Sequence, residues 1–125
     1  MIFSKTILNV CDNSGLKYVK CLKVVKTISA YGKKQVAKAG DVILVSAKIL
    51  TGVTNLKKGQ VFKALIVRTN SKVKRLYGFL SFEQNSVLIL NKKLEPLGNR
   101  ISGPVFMEAL EQNYIKISSI RMIGF

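Results

Sequence analysis

Residues 41–50, DVILVSAKIL, place Ile43, Val45, Ala47 and Ile49 on one side of an extended chain and Leu44, Ser46 and Lys48 on the other. A repeat of two marks a strand with one covered face; helical apolar positions recur every three or four residues instead. The segment YVKCLKVVKTI (18–28) follows the same rule, with Val19, Cys21 and, on strict alternation, Val25 set among lysines. VFKALIVRT (61–69) and SVLILN (86–91) are nearly unbroken apolar runs, as expected of strands covered on both faces. Turn formers punctuate these segments: DNSG (12–15), KAGD (38–41), LKKGQ (56–60) and RLYG (75–78). Short strands with a turn about every ten residues predict a mostly β fold, a small barrel or sandwich.

Both prolines of the chain, Pro96 and Pro104, fall in LEPLGNRISGPVF (94–106), together with Gly98 and Gly103. They precede the one segment that reads as helix, GPVFMEALEQN (103–113). Pro104 suits the first helical position, where its missing N–H has no partner to lose. Ser102 or Gly103 caps that turn, and Val105, Met107, Ala109 and Leu110 form a short apolar stripe. A short helical C-terminal portion is therefore expected over about 103–120. The tail YIKISSIRMIGF (114–125) fits a strand or a second short helix. There is no internal repeat and no low-complexity segment.

A chain of 125 residues is expected to form one domain, 1–125, and its 48 % apolar content excludes wholesale disorder. No apolar run is long enough to cross a bilayer. The opening MIFSKTILNV lacks the cleavage site of a secretory signal and the arginines of a matrix-targeting peptide, so the protein is expected to work where it is made. Charge narrows function most: 21 Lys and Arg oppose 6 Asp and Glu, a net +15. Repulsion on that scale opposes compaction unless counter-charge is present. An anionic membrane would call for a basic amphipathic helix, and none is found, which leaves nucleic acid.

Catalysis has little to work with. The chain has no histidine and no phosphate-cradling loop, and its acids (Asp12, Asp41, Glu83, Glu95, Glu108 and Glu111) form no close pair. Asp12 is expected to accept backbone hydrogen bonds within its own turn, and Asp41 to open a strand. Cys11 and Cys21 match no zinc spacing; they read as small buried hydrophobes in a reducing compartment, although one bridge between them is open. No enzyme, metal or cofactor is expected.

Cations concentrate at turns. NLKKGQ offers Lys57 and Lys58; RTNSKVKRLYG offers Arg68, Lys72, Lys74 and Arg75, then Tyr77. In the second segment a strand runs outward, becomes basic and returns through FLSFEQNSVLIL, the pattern of a protruding β-ribbon over about 68–82. Such a ribbon lies along phosphates, with Tyr77 and Phe79 available to stack on bases.

Several blocks in order resemble one family, the universal large-ribosomal-subunit protein number fourteen. LNVCDNSGLKYVKCLKV (8–24), AGDVILVSAK (39–48), LKKGQVFKALIVRT (56–69), FEQNSVLILN (82–91) and EPLGNRISGPV (95–105) are similar to its segments and spacing across essentially the whole chain. Departures cluster at the ribbon tip, where Leu76-Tyr77-Gly78 stands in place of a more charged turn with an Asp before the glycine. One residue is missing between Gly78 and Phe82, and another before Pro96. The resemblance implies a closed five-stranded barrel, an emerging ribbon and a small helical C-terminal portion. It implies direct binding to large-subunit rRNA, with Lys17, Lys20, Lys57, Lys58, Arg68, Lys72, Lys74, Arg75 and Tyr77 as the candidate contacts. It also implies neighbouring large-subunit proteins as partners and a place facing the small subunit. There Asn99 and Arg100, with Lys116, would bridge to small-subunit rRNA or receive a ribosome-silencing factor. No membrane partner and no homo-oligomer are expected.

The alternative is a free-standing basic barrel for single-stranded nucleic acid. It needs several aromatics on one sheet face, whereas Phe3, Phe62, Phe106 and Phe125 are scattered and read mostly as core. A chain rich in Lys, Ile, Asn and Phe, as AT-rich coding gives, points to a mitochondrial ribosome and an organelle-encoded gene. Bacterial cytoplasm or plastid stroma is the alternative compartment.

Overall fold

Alternating strands can hide their apolar faces by rolling up, and here they do. The computed structural model describes residues 2–26, 37–52, 56–93, 95–98, 100–106 and 123–124. Strands β1 (Ile7–Val10), β2 (Leu16–Lys26), β3 (Val42–Leu50), β4 (Val61–Arg68) and β7 (Ser86–Leu90) close into a barrel in the order β1-β2-β3-β4-β7. All neighbours are antiparallel except β1 and β7, whose parallel pairing (Asn9↔Ser86, Val10↔Val87) completes the ring and leaves no open edge. Between β4 and β7 the chain forms a separate antiparallel ribbon, β5 (Val73–Arg75) with β6 (Gly78–Leu80). A last small sheet joins β8 (Pro104–Val105) in parallel to β9 (Ile123–Gly124).

The core has two compartments. One gathers inward residues from every barrel strand, among them Leu8, Val19, Ile43, Val45, Ile66 and Ile89. The other lies on the opposite face of β4 and β7, where Leu65, Val67, Leu88 and Leu90 meet Cys11, Val42, Ile101 and Val105. The apolar runs in β4 and β7 are thus covered on both sides, inside by the barrel and outside by Cys11, Val42, Ile101 and Val105.

Strict alternation fails at two places, both at register shifts. Val19 pairs with Ala47 and Tyr18 with Ile49, so β3 carries one residue more than β2 there. Ile49, expected inside, is consequently 51 % exposed, and Leu50 packs against the core instead. A second shift between Cys21 and Lys23 lets Val24 face the core, rather than alternation continuing unbroken from Cys21. Each is a β-bulge, which resets the faces of everything beyond it. Of the phenylalanines expected in the core, Phe106 is fully buried and Phe62 is partly buried against the barrel interior, but Phe3 is half exposed. Phe3 sits in a turn closed by Thr6 N–H to its carbonyl (3.2 Å), and Ile2 takes the buried place. Phe125 lies outside the described residues.

Pro104 does not start a helix. It and Val105 form β8, and the Phe106 N–H donates to the Val67 carbonyl at 2.9 Å. An extended chain lets Val105 and Phe106 both reach covered sites beside β4, and a short edge strand tolerates the missing proline N–H as well as a helix start does. No helix occurs among the described residues; the rest of the expected helical portion lies outside them. At the end of the tail, Ile123–Gly124 is strand.

Cys11 and Cys21 are free and buried, and they fall in different compartments. Burial pushes the Cys11 thiol up to about 12, although the Arg68 guanidinium beside it pulls the other way; burial raises Cys21 too. Thiolate is the reactive form, so the folded protein should react with neither thiol at pH 8 on a minute timescale. In denaturant two thiols should appear in a disulfide-exchange assay. One rapid equivalent from the native protein would contradict this packing.

Candidate nucleic-acid interface

The ribbon is short and firmly rooted. At its base the Phe82 N–H donates to the Thr69 carbonyl (3.0 Å) and the Asn70 N–H to Asn85 Oδ1 (2.9 Å). Cross-strand pairs Val73↔Leu80, Lys74↔Phe79 and Arg75↔Gly78 lead to a turn of Leu76 and Tyr77. Gly78 closes it at φ 139°, a conformation side chains rarely adopt. Directly paired residues share a face. Val73 and Leu80 are half-buried, whereas Lys74 and Phe79 are exposed together, with Lys72 Nζ 5.9 Å from the Phe79 ring centre. Lys72 and Lys74 are therefore brought together beside Phe79, and Tyr77 stands in the turn of the same hairpin, to which Arg75 adds its backbone.

The other lysines stand elsewhere. Lys57 and Lys58 are exposed on the turn before β4, which is fixed by Gly59 N–H to the Ala47 carbonyl (2.9 Å). Lys17 is exposed on β2, its Nζ 5.7 Å from the Tyr18 ring centre, and Lys20 is half-buried on the same strand. Because β4 begins after the Lys57 turn and ends at the ribbon, these two cationic features occupy opposite ends of the barrel.

Arg68 is set apart from the tip cations. It is half-buried at the end of β4, within hydrogen-bonding reach of Cys11, and its Nε is buried without a partner. A side chain at Gly103 (φ +80°) would collide with its guanidinium. It borders an open cleft of about 330 Å³ with Phe82, Glu83, Gln84, Ser86 and Pro104.

The proline- and glycine-rich stretch forms a strap across the barrel. The Asn91 N–H reaches the Glu95 carbonyl (2.8 Å), Leu97 N–H the Ile89 carbonyl (3.1 Å), Ser102 N–H the Cys11 carbonyl (2.7 Å) and Phe106 N–H the Val67 carbonyl (2.9 Å). Ile101 is fully buried and bridges to Asp12. Gly98 lies so close to the DNSG turn that a Cβ there would sit 2.6 Å from Asn13 Oδ1. Asp12 organises that turn, as its sequence context predicts. Its Oδ1 accepts from Ser14 N–H (3.2 Å) and Oγ (2.6 Å), while its Oδ2 accepts from Ile89 N–H (3.2 Å), an anchor to β7 that the sequence does not announce. Burial raises the Asp12 pKa, and the hydrogen bonds from Ser14 and Ile89 oppose that rise. Between Gly98 and Ile101, Arg100 is exposed. Asn99 and Lys116 lie outside the described residues.

Leu76 is the exposed residue of the candidate interface that sequence reasoning passed over. It is 90 % exposed beside Tyr77 at 97 %. The available signal was a large apolar side chain inside a turn motif.

A closed barrel that displays its cations on turns and on a rooted ribbon defines a small basic β-barrel of the nucleic-acid-binding class. Residues 1–123 match the ribosomal protein L14p/L23e family, and the chain belongs to that family. It is thus a structural, non-enzymatic component of the ribosome that binds ribosomal RNA among other ribosomal proteins.

Proposed function

We propose that the protein is a constituent of the large ribosomal subunit. It binds large-subunit rRNA through its ribbon and exposed lysines. Arg100, with Asn99 and Lys116, helps to bridge to small-subunit rRNA, and the same surface receives a ribosome-silencing factor. The observation that carries the bridging reading is the strap: four backbone hydrogen bonds and a buried Ile101 hold the chain on either side of an exposed Arg100. An arginine presented on fixed backbone loses little entropy when it meets a phosphate across an interface.

The proposed compartment is the mitochondrion, with an organelle-encoded gene. The bias towards Lys, Ile, Asn and Phe and the altered ribbon tip support it. Sedimentation of the tagged protein from fractionated cells tests particle and compartment together. It should travel with large subunits from the mitochondrial fraction and leave them only in high salt, because many phosphate contacts make affinity steeply salt-dependent. Recovery in RNA-free fractions at low salt would sink the ribosomal assignment. Recovery with bacterial-type or plastid particles would move the compartment alone.

A further inference from the structure

The ribbon tip presents the most exposed apolar surface among the described residues: Leu76 at 90 %, Tyr77 at 97 % and Phe79 at 68 %. The remaining exposed large hydrophobics among the described residues reach at most 63 %, at Ile7. Scattered exposure of that kind is ordinary; two adjacent side chains almost wholly in solvent at the end of a rooted hairpin are not. We propose that the Leu76–Tyr77 tip is a wedge that enters rRNA, with the Tyr77 ring stacking on an unpaired base. This rests on the reading of the ribbon as an rRNA-binding element and names what its tip recognises.

Charge selects RNA over a protein pocket as the occupant. From Thr69 to Phe82 the chain has no acidic residue, and it carries Lys72, Lys74 and Arg75. Lys74 lies directly opposite Phe79, and Lys72 approaches the same ring, so the aromatic surface is flanked by ammonium groups on its own face. An apolar protein pocket would have to desolvate those charges beside it. An RNA loop supplies phosphates for the lysines and a π-face for the ring at once. The hairpin also suits insertion mechanically. Its base is held by Thr69, Asn70, Phe82 and Asn85, so little chain has to be ordered on binding. Leu76, beside the tyrosine, fills the space that an unstacked base step leaves.

Stacking and phosphate contact leave different signatures in a salt titration. Protein binding to transcribed large-subunit rRNA should be measured across salt for four chains: wild type, Tyr77→Ala, Tyr77→Phe and the double variant Lys72→Ala/Lys74→Ala. Loss of the ring should weaken binding roughly 10- to 100-fold with the salt slope unchanged, and Tyr77→Phe should restore most of it. The double lysine variant should instead flatten the slope by roughly 1.4–1.8. A flattened slope with no effect of Tyr77→Ala would overturn the wedge and keep the ribbon as an RNA contact. No effect from either variant would overturn the ribbon reading itself, and the wedge with it. In assembled particles, Tyr77→benzoylphenylalanine should photocross-link to RNA; an adduct with a ribosomal protein would show the tip seated on a protein instead.

Discussion

Phe106→Ala should destabilise the isolated chain by about 3–5 kcal/mol, the range for deleting a large buried aromatic. Phe106 heads the fully buried side chains by size, and its ring centre lies 4.9 Å from that of Phe82 at an interplanar angle of 56°. A tilted pair at that distance contributes about 0.5–1.5 kcal/mol beyond its buried area. The truncation therefore leaves a cavity and orphans the Phe82 ring at the root of the ribbon. For a chain of this length the melting temperature should fall by roughly 10–20 °C. Leu76→Ala is the control. That side chain is 90 % exposed, so its loss should stay within about 0.5 kcal/mol. Denaturant titrations of Phe106→Ala, Phe82→Ala and the double variant also read the coupling between the rings. A Phe106→Ala chain within 1 kcal/mol of wild type, by the same size argument, would mean that the strap does not close on the barrel there.

That Phe106 belongs to the core was legible in the sequence; the element carrying it was not. A Gly-Pro pair before apolar residues is compatible with a helix start and with a short edge strand alike. The choice falls to contacts far along the chain, the Val67 carbonyl and the Phe82 ring. The barrel itself was more readable. β3 shows its inward face as plain alternation through Ala47, and the two-sided burial of β4 and β7 is written in the unbroken apolar runs 64–67 and 87–90. The bulges that turn Leu50 and Val24 inward leave no mark on composition, because they arise from the register between neighbouring strands. The candidate interface divides in the same way. Exposed lysines at turns and on the ribbon follow from the need of an ammonium group for water, so the exposure of Lys57, Lys58, Lys72 and Lys74 was legible in the sequence. The half-buried setting of Arg68 depends on Cys11 and Gly103, which only the closed fold brings to it.

Arg100→Ala carries the largest functional effect on the bridging reading. A charge-assisted hydrogen bond contributes about 1.5–3 kcal/mol, or roughly 10- to 100-fold in an association equilibrium when nothing compensates. A ribosome joins its subunits through several contacts, so the observed change should be smaller than that. The variant should still fold, because Arg100 is exposed and its neighbours are anchored through backbone groups and Ile101. It should also assemble, since rRNA binding is assigned to the ribbon and the exposed lysines. The expected outcome is normal large subunits with fewer joined particles at limiting magnesium. Arg100→Lys should fall between, keeping the charge and losing the two-pronged donor. Gly98→Val separates presentation from chemistry. Its side chain would meet the Asn13 backbone and side chain, lift the strap and reduce joining while Arg100 remains in the sequence. Because Gly98→Val also strains the turn, it should lose stability where Arg100→Ala does not. Gradient profiles over a magnesium series read all three variants. An Arg100→Ala profile that matches wild type at every magnesium concentration would remove the bridging role and leave Arg100 a solvated cation on a rigid strap.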